Sequence, residues 1–322
     1  MNIGPMKLSP MKLSPMKLSH VNISYMKGKL PLLACMAVLY FPAVEAKTPI
    51  EESRPIAADG LVEIDNLAGR IEITAWDKPE VHISGELGED VEKLEIEESS
   101  AGVKIRVRNR QDQRNVDETF LRLQVPATVS VEAESVSADL AVHGLTGASV
   151  VFNTVSGDLV AEVQTQRLEV ETVSGDVRFA GATPRASVET VSGEINLRGI
   201  EGEIAISTVS GDASMTGSHI SRGRFETVSG DLQLTLDLAE RGRLNVESMS
   251  GDVQLHLPSG QQAEYTAQSF SGDIESDFGE VSGNSHGPGH SLSFQAGDNG
   301  ATIQIESFSG DISITGPNIT AP

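Results

Sequence analysis

The sequence predicts an all-β chain wound into a parallel β-helix, a β-solenoid with coils of 18–21 residues, and three observations carry that prediction. Ser-Gly followed by an acid recurs with its glycine at Gly157, Gly175, Gly193, Gly211, Gly230, Gly251, Gly272 and Gly310, the fixed period that stacked supersecondary units leave in a sequence. Between the copies, β-branched residues alternate with polar ones at period two, as in strands buried on one face. Past the first 46 residues no helical period is sustained.

Residues 1–46 stand apart. Met-Lys-Leu-Ser repeats at Met6, Met11 and Met16, a low-complexity run that points to Met26 as the working start. From Met26, Lys27 and Lys29 precede an apolar stretch from Leu30 to Phe41, and Val44-Glu45-Ala46 has the small residues of a cleavage site. The pattern is that of an export signal, cleaved after Ala46. The stretch is too short to span a bilayer, so no membrane span is expected in the mature chain. Cys35, the single cysteine, sits inside the apolar stretch, which argues against a lipidation box and leaves no disulfide after cleavage. The protein is expected in the periplasm or on the cell surface.

Residues 47–59, with Pro49 and Pro55, read as a mobile polar leader. An irregular β region follows over 60–139. Its strands are expected at Leu61–Ile64, Arg70–Ile73, Val81–Ile83, Leu94–Ile96, Val103–Val107 and Leu121–Val125, with turns at Asp77–Pro79 and Ser99–Gly102 and a charged loop from Arg108 to Glu118. Asn66–Ile71 and Ser135–Leu140 look like worn copies of the later repeat, so the irregular region should be continuous with the stack.

The regular solenoid is expected over 140–316, with a tail at 317–322. Leu168, Val170, Val177 and Phe179 should point inward. The residue before each corner serine runs Val155, Val173, Val191, Val209, Val228, Met249, Phe270, Phe308, which reads as an apolar core column that widens toward the C-terminus. The 38-residue gap between Gly272 and Gly310 reads as two steps, giving eight steps from Gly157 and about 38 Å of rod at ~4.8 Å per coil. A glycine-rich bulge is expected between Asp277 and Gly297, carrying His286 and His290.

At each corner glycine permits positive φ or close backbone approach, and Ser and Asp can bond backbone groups that the bend frees. Thr or Ser at 154, 172, 190, 208, 227, 248, 269 and 307 should form a hydroxyl-to-hydroxyl ladder. The acids Asp158, Asp176, Glu194, Asp212, Asp231, Asp252, Asp273 and Asp311 form the one column with a candidate chemistry. Carboxylates one rung apart repel by about 0.9 kcal/mol per pair in bulk water, and calcium could offset that, although the nonapeptide pattern of calcium-binding rolls is missing. These acids are therefore weak metal candidates.

The charge excludes some partners. The chain carries −22 overall, and loss of 1–46 removes five Lys and Glu45, leaving −26. Nucleic acid and anionic lipid would be repelled. No nucleophile elbow, zinc-protease helix, phosphate loop or dinucleotide fingerprint occurs. A polysaccharide-acting β-helix enzyme is a further alternative, since acids and arginines such as Arg178 and Arg198 occur on adjacent coils, but the aromatic platforms of sugar grooves are scarce, with Trp76 and Tyr265 the only such rings beyond phenylalanine in the mature chain.

Asn66-Leu-Ala-Gly-Arg-Ile-Glu-Ile73, Leu121-Arg-Leu-Gln-Val-Pro126, the serial corners and Ser307-Phe-Ser-Gly-Asp-Ile-Ser-Ile314 together resemble the bacterial putative-adhesin family, also called the toastrack-like domain and related to head GIN domain proteins. The resemblance covers roughly 60–315. It implies a β-solenoid displayed in the cell envelope, with some relatives in envelope-stress systems, and supplies no catalytic motif. The expectation is a non-enzymatic structural or interaction module whose partner is an envelope protein or polysaccharide, with a calcium-stabilised scaffold as the alternative.

Overall fold

The alternating stretches form strands throughout the computed structural model, which describes residues 48–110, 116–258, 261–283, 289–298 and 300–317. The expected signal, Met26, Cys35 and Ala46 lie outside them. In chain order the strands of the irregular region are β1 (Thr48–Pro55), β2 (Leu61–Trp76), β3 (Glu80–Leu87), β4 (Val91–Glu98), β5 (Gly102–Asn109), β6 (Thr119–Pro126) and β7 (Ser130–His143). The stack continues with β8 (Ser149–Asn153), β9 (Leu159–Gln164), β10 (Arg167–Thr172), β11 (Val177–Thr190), β12 (Ile195–Thr208), β13 (Ala213–Thr227) and β14 (Leu232–Ser248). It closes with β15 (Val253–His256), β16 (Ala263–Ser269), β17 (Ile274–Ser276), β18 (Val281–Gly283), β19 (His290–Gln295), β20 (Ala301–Ser307) and β21 (Ile312–Thr315).

Successive coils pair in parallel and in phase, so like residues stack. Val177, Ile195, Ala213, Leu232, Val253 and Ile312 align in one column. Leu168, Ala186, Ile204, Gly223, Leu244, Ile303 and Tyr265 align in another, on the strands that enter the corner. Apart from Gly223, which has no side chain to pack, both columns are buried hydrophobic positions, as are Val170 and Phe179. Each fully buried aliphatic or aromatic side chain contributes about 1.5–3 kcal/mol. With no cysteine in the described residues, this burial and the ladder hydrogen bonds hold the stack.

The worn copies take their places in the same columns. Asn66 aligns with Ser135, Gly69 with Ala138 and Arg70 with Asp139, and β7 pairs in turn with β8 and β9. The irregular region is thus continuous with the stack.

The order of coils departs from the sequence. At the C-terminal end β20 lies between β14 and β16, and β21 lies between β15 and β17. The corner at Gly310 therefore follows that at Gly251, and the corner at Gly272 is outermost. The 38-residue interval is an insertion, not two onward steps, and the marked corners span seven steps, or about 34 Å at ~4.8 Å each. The N-terminal end repeats the device: β2 lies between β7 on one side and β5 with β6 on the other. At each end the segment nearer the chain terminus is tucked inside, and a coil farther from that terminus is outermost.

Antiparallel strands then cover the outermost coils. β4 pairs with β5, β3 with β6, and β1 with β3. At the other end β19 pairs with β16 and β18 with β19. Covering an edge in this way removes a row of unpaired backbone groups that would template aggregation. Two expectations change accordingly. Residues 48–55, expected as a mobile leader, are extended but paired along all of β1. The expected glycine-rich bulge contributes β18 and β19, with 284–288, including His286, outside the described residues. Of the expected loop at 108–118, Arg108 and Asn109 belong to β5, and 111–115 lie outside the described residues.

Candidate interaction surface

The corner at Thr172–Asp176 shows what each repeated residue does. Thr172 is buried, and its Oγ1 accepts the Gly175 N–H at 2.9 Å. Ser174 donates its N–H to the Val155 carbonyl of the preceding coil at 2.9 Å. A Cβ on Gly175 would lie 2.0 Å from the Gly157 carbonyl oxygen, so glycine is required for close approach between coils. The corner glycines do not use positive φ. Asp176 donates its N–H to Asp158 Oδ1 at 2.8 Å, and its own Oδ1 accepts the Glu194 N–H at 3.0 Å.

The acid column is a relay of this kind. Asp139 accepts from Asp158, Asp212 from Asp231, Asp231 from Asp252, Asp252 from Asp311 and Asp311 from Asp273, all backbone N–H to Oδ1 at 2.8–3.1 Å. Glu194 is the break: its longer side chain accepts no bond from the Asp212 N–H. Hydrogen bonds to ionised acceptors are strong, so these backbone donors offset repulsion between rungs. Among the described residues no three His, Cys, Asp or Glu side chains converge on a point that could hold a metal. In this structure the aspartates of the column link one coil to the next.

The hydroxyl column also differs from expectation. Ser135 and Thr154 meet hydroxyl to hydroxyl at 2.8 Å, but the recurring bond is within one turn, from the glycine N–H to the hydroxyl three residues earlier, as at Gly193–Thr190, Gly211–Thr208 and Gly272–Ser269. A hydroxyl that serves its own turn needs no partner on the next coil.

The largest correction concerns the residue between Thr and Ser. Val155, Val173, Val191, Val209, Val228, Met249, Phe308 and Phe270 are not core. They are 43–58% exposed, and Val136 extends the row by one coil. The core alternation Leu168, Val170, Thr172 puts Val173 on the outer face. The nine side chains form a continuous apolar ridge along the corner edge, ending in Phe308 and Phe270, whose rings stack 5.0 Å apart. Neither the turn bonds nor the relay uses these side chains.

Carboxylates flank the ridge. On one side runs the acid relay. On the other, two residues before the ridge, Glu171, Glu189, Ser207, Glu226, Glu247, Glu306 and Gln268 align across the coils. A trough of about 550 Å³ lies between this row and the ridge, lined by residues from Ser207 to Val209, Glu226 to Val228, Glu247 to Met249 and Glu306 to Phe308. Cations gather elsewhere: Arg167, Arg185, Arg222 and Arg243 align at the far end of the same strands, interrupted by Glu203. After Arg243 the chain has ten Asp and Glu and no Lys or Arg.

The residues considered for glycan chemistry are placed otherwise. Tyr265 is buried, packed on Phe278 at 4.8 Å and bonded to the Gln261 carbonyl, and burial pushes its phenol above the ordinary range. Trp76 carries Lys78 over its ring at 4.5 Å. Arg178 bonds Asp176 at 3.0 Å and shares a shallow trough with Glu162 and Arg198. His290 Nδ1 lies 3.1 Å from the Gly272 carbonyl oxygen and 3.5 Å from Asp273 Oδ1.

With this geometry in hand, the comparisons place the chain. The model of the Toastrack DUF4097 family matches residues 59–315. The chain belongs to the Toastrack family. Residues 59–315, which hold both tucked segments and the antiparallel cap strands other than β1, are thus one Toastrack unit. Among solved structures, a putative adhesin from Bacteroides fragilis aligns at 12% identity over 84% of this chain and 98% of that one, with a TM-score of 0.42. A putative lipid binding protein from Parabacteroides distasonis aligns at 13% identity over 83% and 96%, TM-score 0.39. A putative cell adhesion protein from Clostridium sporogenes aligns at 11% identity over 84% and 100%, TM-score 0.24. Scores this low have no bearing on function. No curated protein matches.

Proposed function

We propose that this Toastrack protein is an exported, non-enzymatic, adhesin-like interaction module of the bacterial cell envelope, and that the apolar ridge along its corner edge is the surface by which it binds. The ridge carries the reading. Nine exposed apolar side chains in unbroken register have no part in the corner's own bonding. Exposed apolar residues scattered singly need no explanation, but a contiguous row of nine marks an interaction surface. A solenoid suits such a role because it holds many equivalent side chains on one rigid, extended face. The export signal read at 26–46 and the acidic balance agree with an envelope location.

Fractionation of cells expressing the epitope-tagged full chain tests the location, and retention of purified residues 47–322 on isolated bacterial envelopes tests the binding. Recovery in the cytoplasm, or no retention on envelopes, would sink the proposal.

A further inference from the structure

The ridge is richest where the chain is most acidic, and that coincidence specifies a partner. From Val209 through Val228, Met249 and Phe308 to Phe270 the ridge residues enlarge, and the 550 Å³ trough runs beside them from Val209 to Phe308. Glu226, Glu247 and Glu306 line it, and Asp212, Asp231, Asp252, Asp311 and Asp273 stand on the other flank of the ridge, three residues after each ridge position. The nearest arginines on the same strands, Arg224 and Arg243, precede the ridge by four and six residues; Arg224 is paired with Glu226.

We infer that this end of the ridge docks an amphipathic α-helix of a partner protein, with an apolar stripe flanked on both sides by Lys or Arg. The repeat favours a helix. Four steps of ~4.8 Å span about 19 Å, and a helix of about 13 residues covers that length with one apolar contact per 5.4 Å turn. A strand laid along the ridge would present same-face residues only every ~6.7 Å and lose register. The charge excludes the other occupants: a second copy would set acid rows against acid rows, and an anionic bilayer would be repelled. The inference rests on the ridge being the binding surface, as proposed above.

The test uses residues 47–322 and a fluorescein-labelled synthetic peptide of about 18 residues, long enough to hold a helix, with leucines on one stripe and lysines beside it. A shuffled peptide of the same composition is the control. The striped peptide is expected to bind at least about tenfold more tightly than the shuffled one, with affinity falling as salt rises. Met249→Ser with Phe308→Ser should weaken binding about tenfold at an unchanged melting temperature. Glu226→Gln with Glu247→Gln should weaken it and flatten the salt dependence. If the double serine variant folds poorly, Met249→Lys, which adds a cation at an exposed position, should produce the same loss.

Equal binding of the shuffled peptide, or undiminished binding by both ridge variants, overturns the inference. So does concentration-dependent self-association that Met249→Lys abolishes while the striped peptide stays unbound, and so does capture by phosphatidylcholine vesicles in place of the peptide. Envelope retention that survives Met249→Lys would leave the envelope role standing and remove the helix.

Discussion

The ring of Phe308 lies flat on that of Phe270, with centroids 5.0 Å apart and planes within 10°, although the sequence visits Phe270 first and leaves a whole coil and two cap strands before Phe308. The contact reports the insertion of the last coil between its two predecessors. It makes the C-terminal residues an interior rung of the stack rather than an end.

Removal of residues 300–322 should therefore be far more damaging than removal of a cap. β14 and β16 would both lose a neighbour, and the buried side chains of Ile303, Ile305, Ile312 and Ile314 would be lost with it. Burial alone makes that about 6–12 kcal/mol, comparable with the whole stability of a typical domain. Chemical denaturation should find the truncated chain largely unfolded in its C-terminal third. Removal of 48–55, an edge strand, should leave a cooperative melt.

Gly193→Val should destabilise the protein by about 3 kcal/mol, through overpacking of the backbone contact with the preceding coil. A Cβ there would stand 1.8 Å from the Gly175 carbonyl oxygen. Ser192→Ala, at the exposed neighbouring position, is the control. A Gly193→Val protein that melts with the wild type would refute the close-approach account of the corner.

Glu194→Asp should stabilise the protein. Aspartate has the reach that every other acceptor in the relay uses, so the Asp212 N–H should gain a carboxylate acceptor worth about 0.5–1.5 kcal/mol net. A thermal melt at neutral pH reads the change, and a lower midpoint would argue against the relay.

In the hairpin of β4 and β5, bonds from Lys93 and then Arg108 hold the Glu95 carboxyl down to about 2. A folded pKa below the unfolded one adds stability that is present above the unfolded value and is lost as pH falls through the folded one. Glu95→Gln should thus reduce stability near neutrality, slightly because the group is exposed, and the difference from wild type should shrink between about pH 4.5 and 2. A constant difference across that window would dissociate Glu95 from the effect.

The coil period, the inward columns and the upstream start at Asn66 were all legible, because each depends on residues within one coil. The exposed ridge was legible too, but only through parity. Leu168, Val170 and Thr172 share a face, so Val173 must lie on the other, yet its apolar character and the growth from Val155 to Phe308 imitate a core column. The order of the last coils was not legible. The corners at Gly251, Gly272 and Gly310 all offer the same Ser-x-Ser-Gly-Asp edge, so no bonding residue distinguishes Gly251 from Gly272 as the partner of Gly310. The pairing of β1 was hidden for a related reason: Glu51, Glu52 and Arg54 look like solvent-facing residues, and an edge strand with one neighbour needs only Ile50 and backbone bonds to hold it.

A ribosome makes this chain from the other end. Coils can settle in the order they emerge as far as β15, but the seat beside β14 and β15 belongs to β20 and β21, which emerge only after β16–β19. Until they appear, that edge is either open or provisionally taken by β16 and β17, which must then give way. Completion of the stack thus waits on β20 and β21: a product interrupted before them carries a displaced or vacant seam, and only one that includes them can close it.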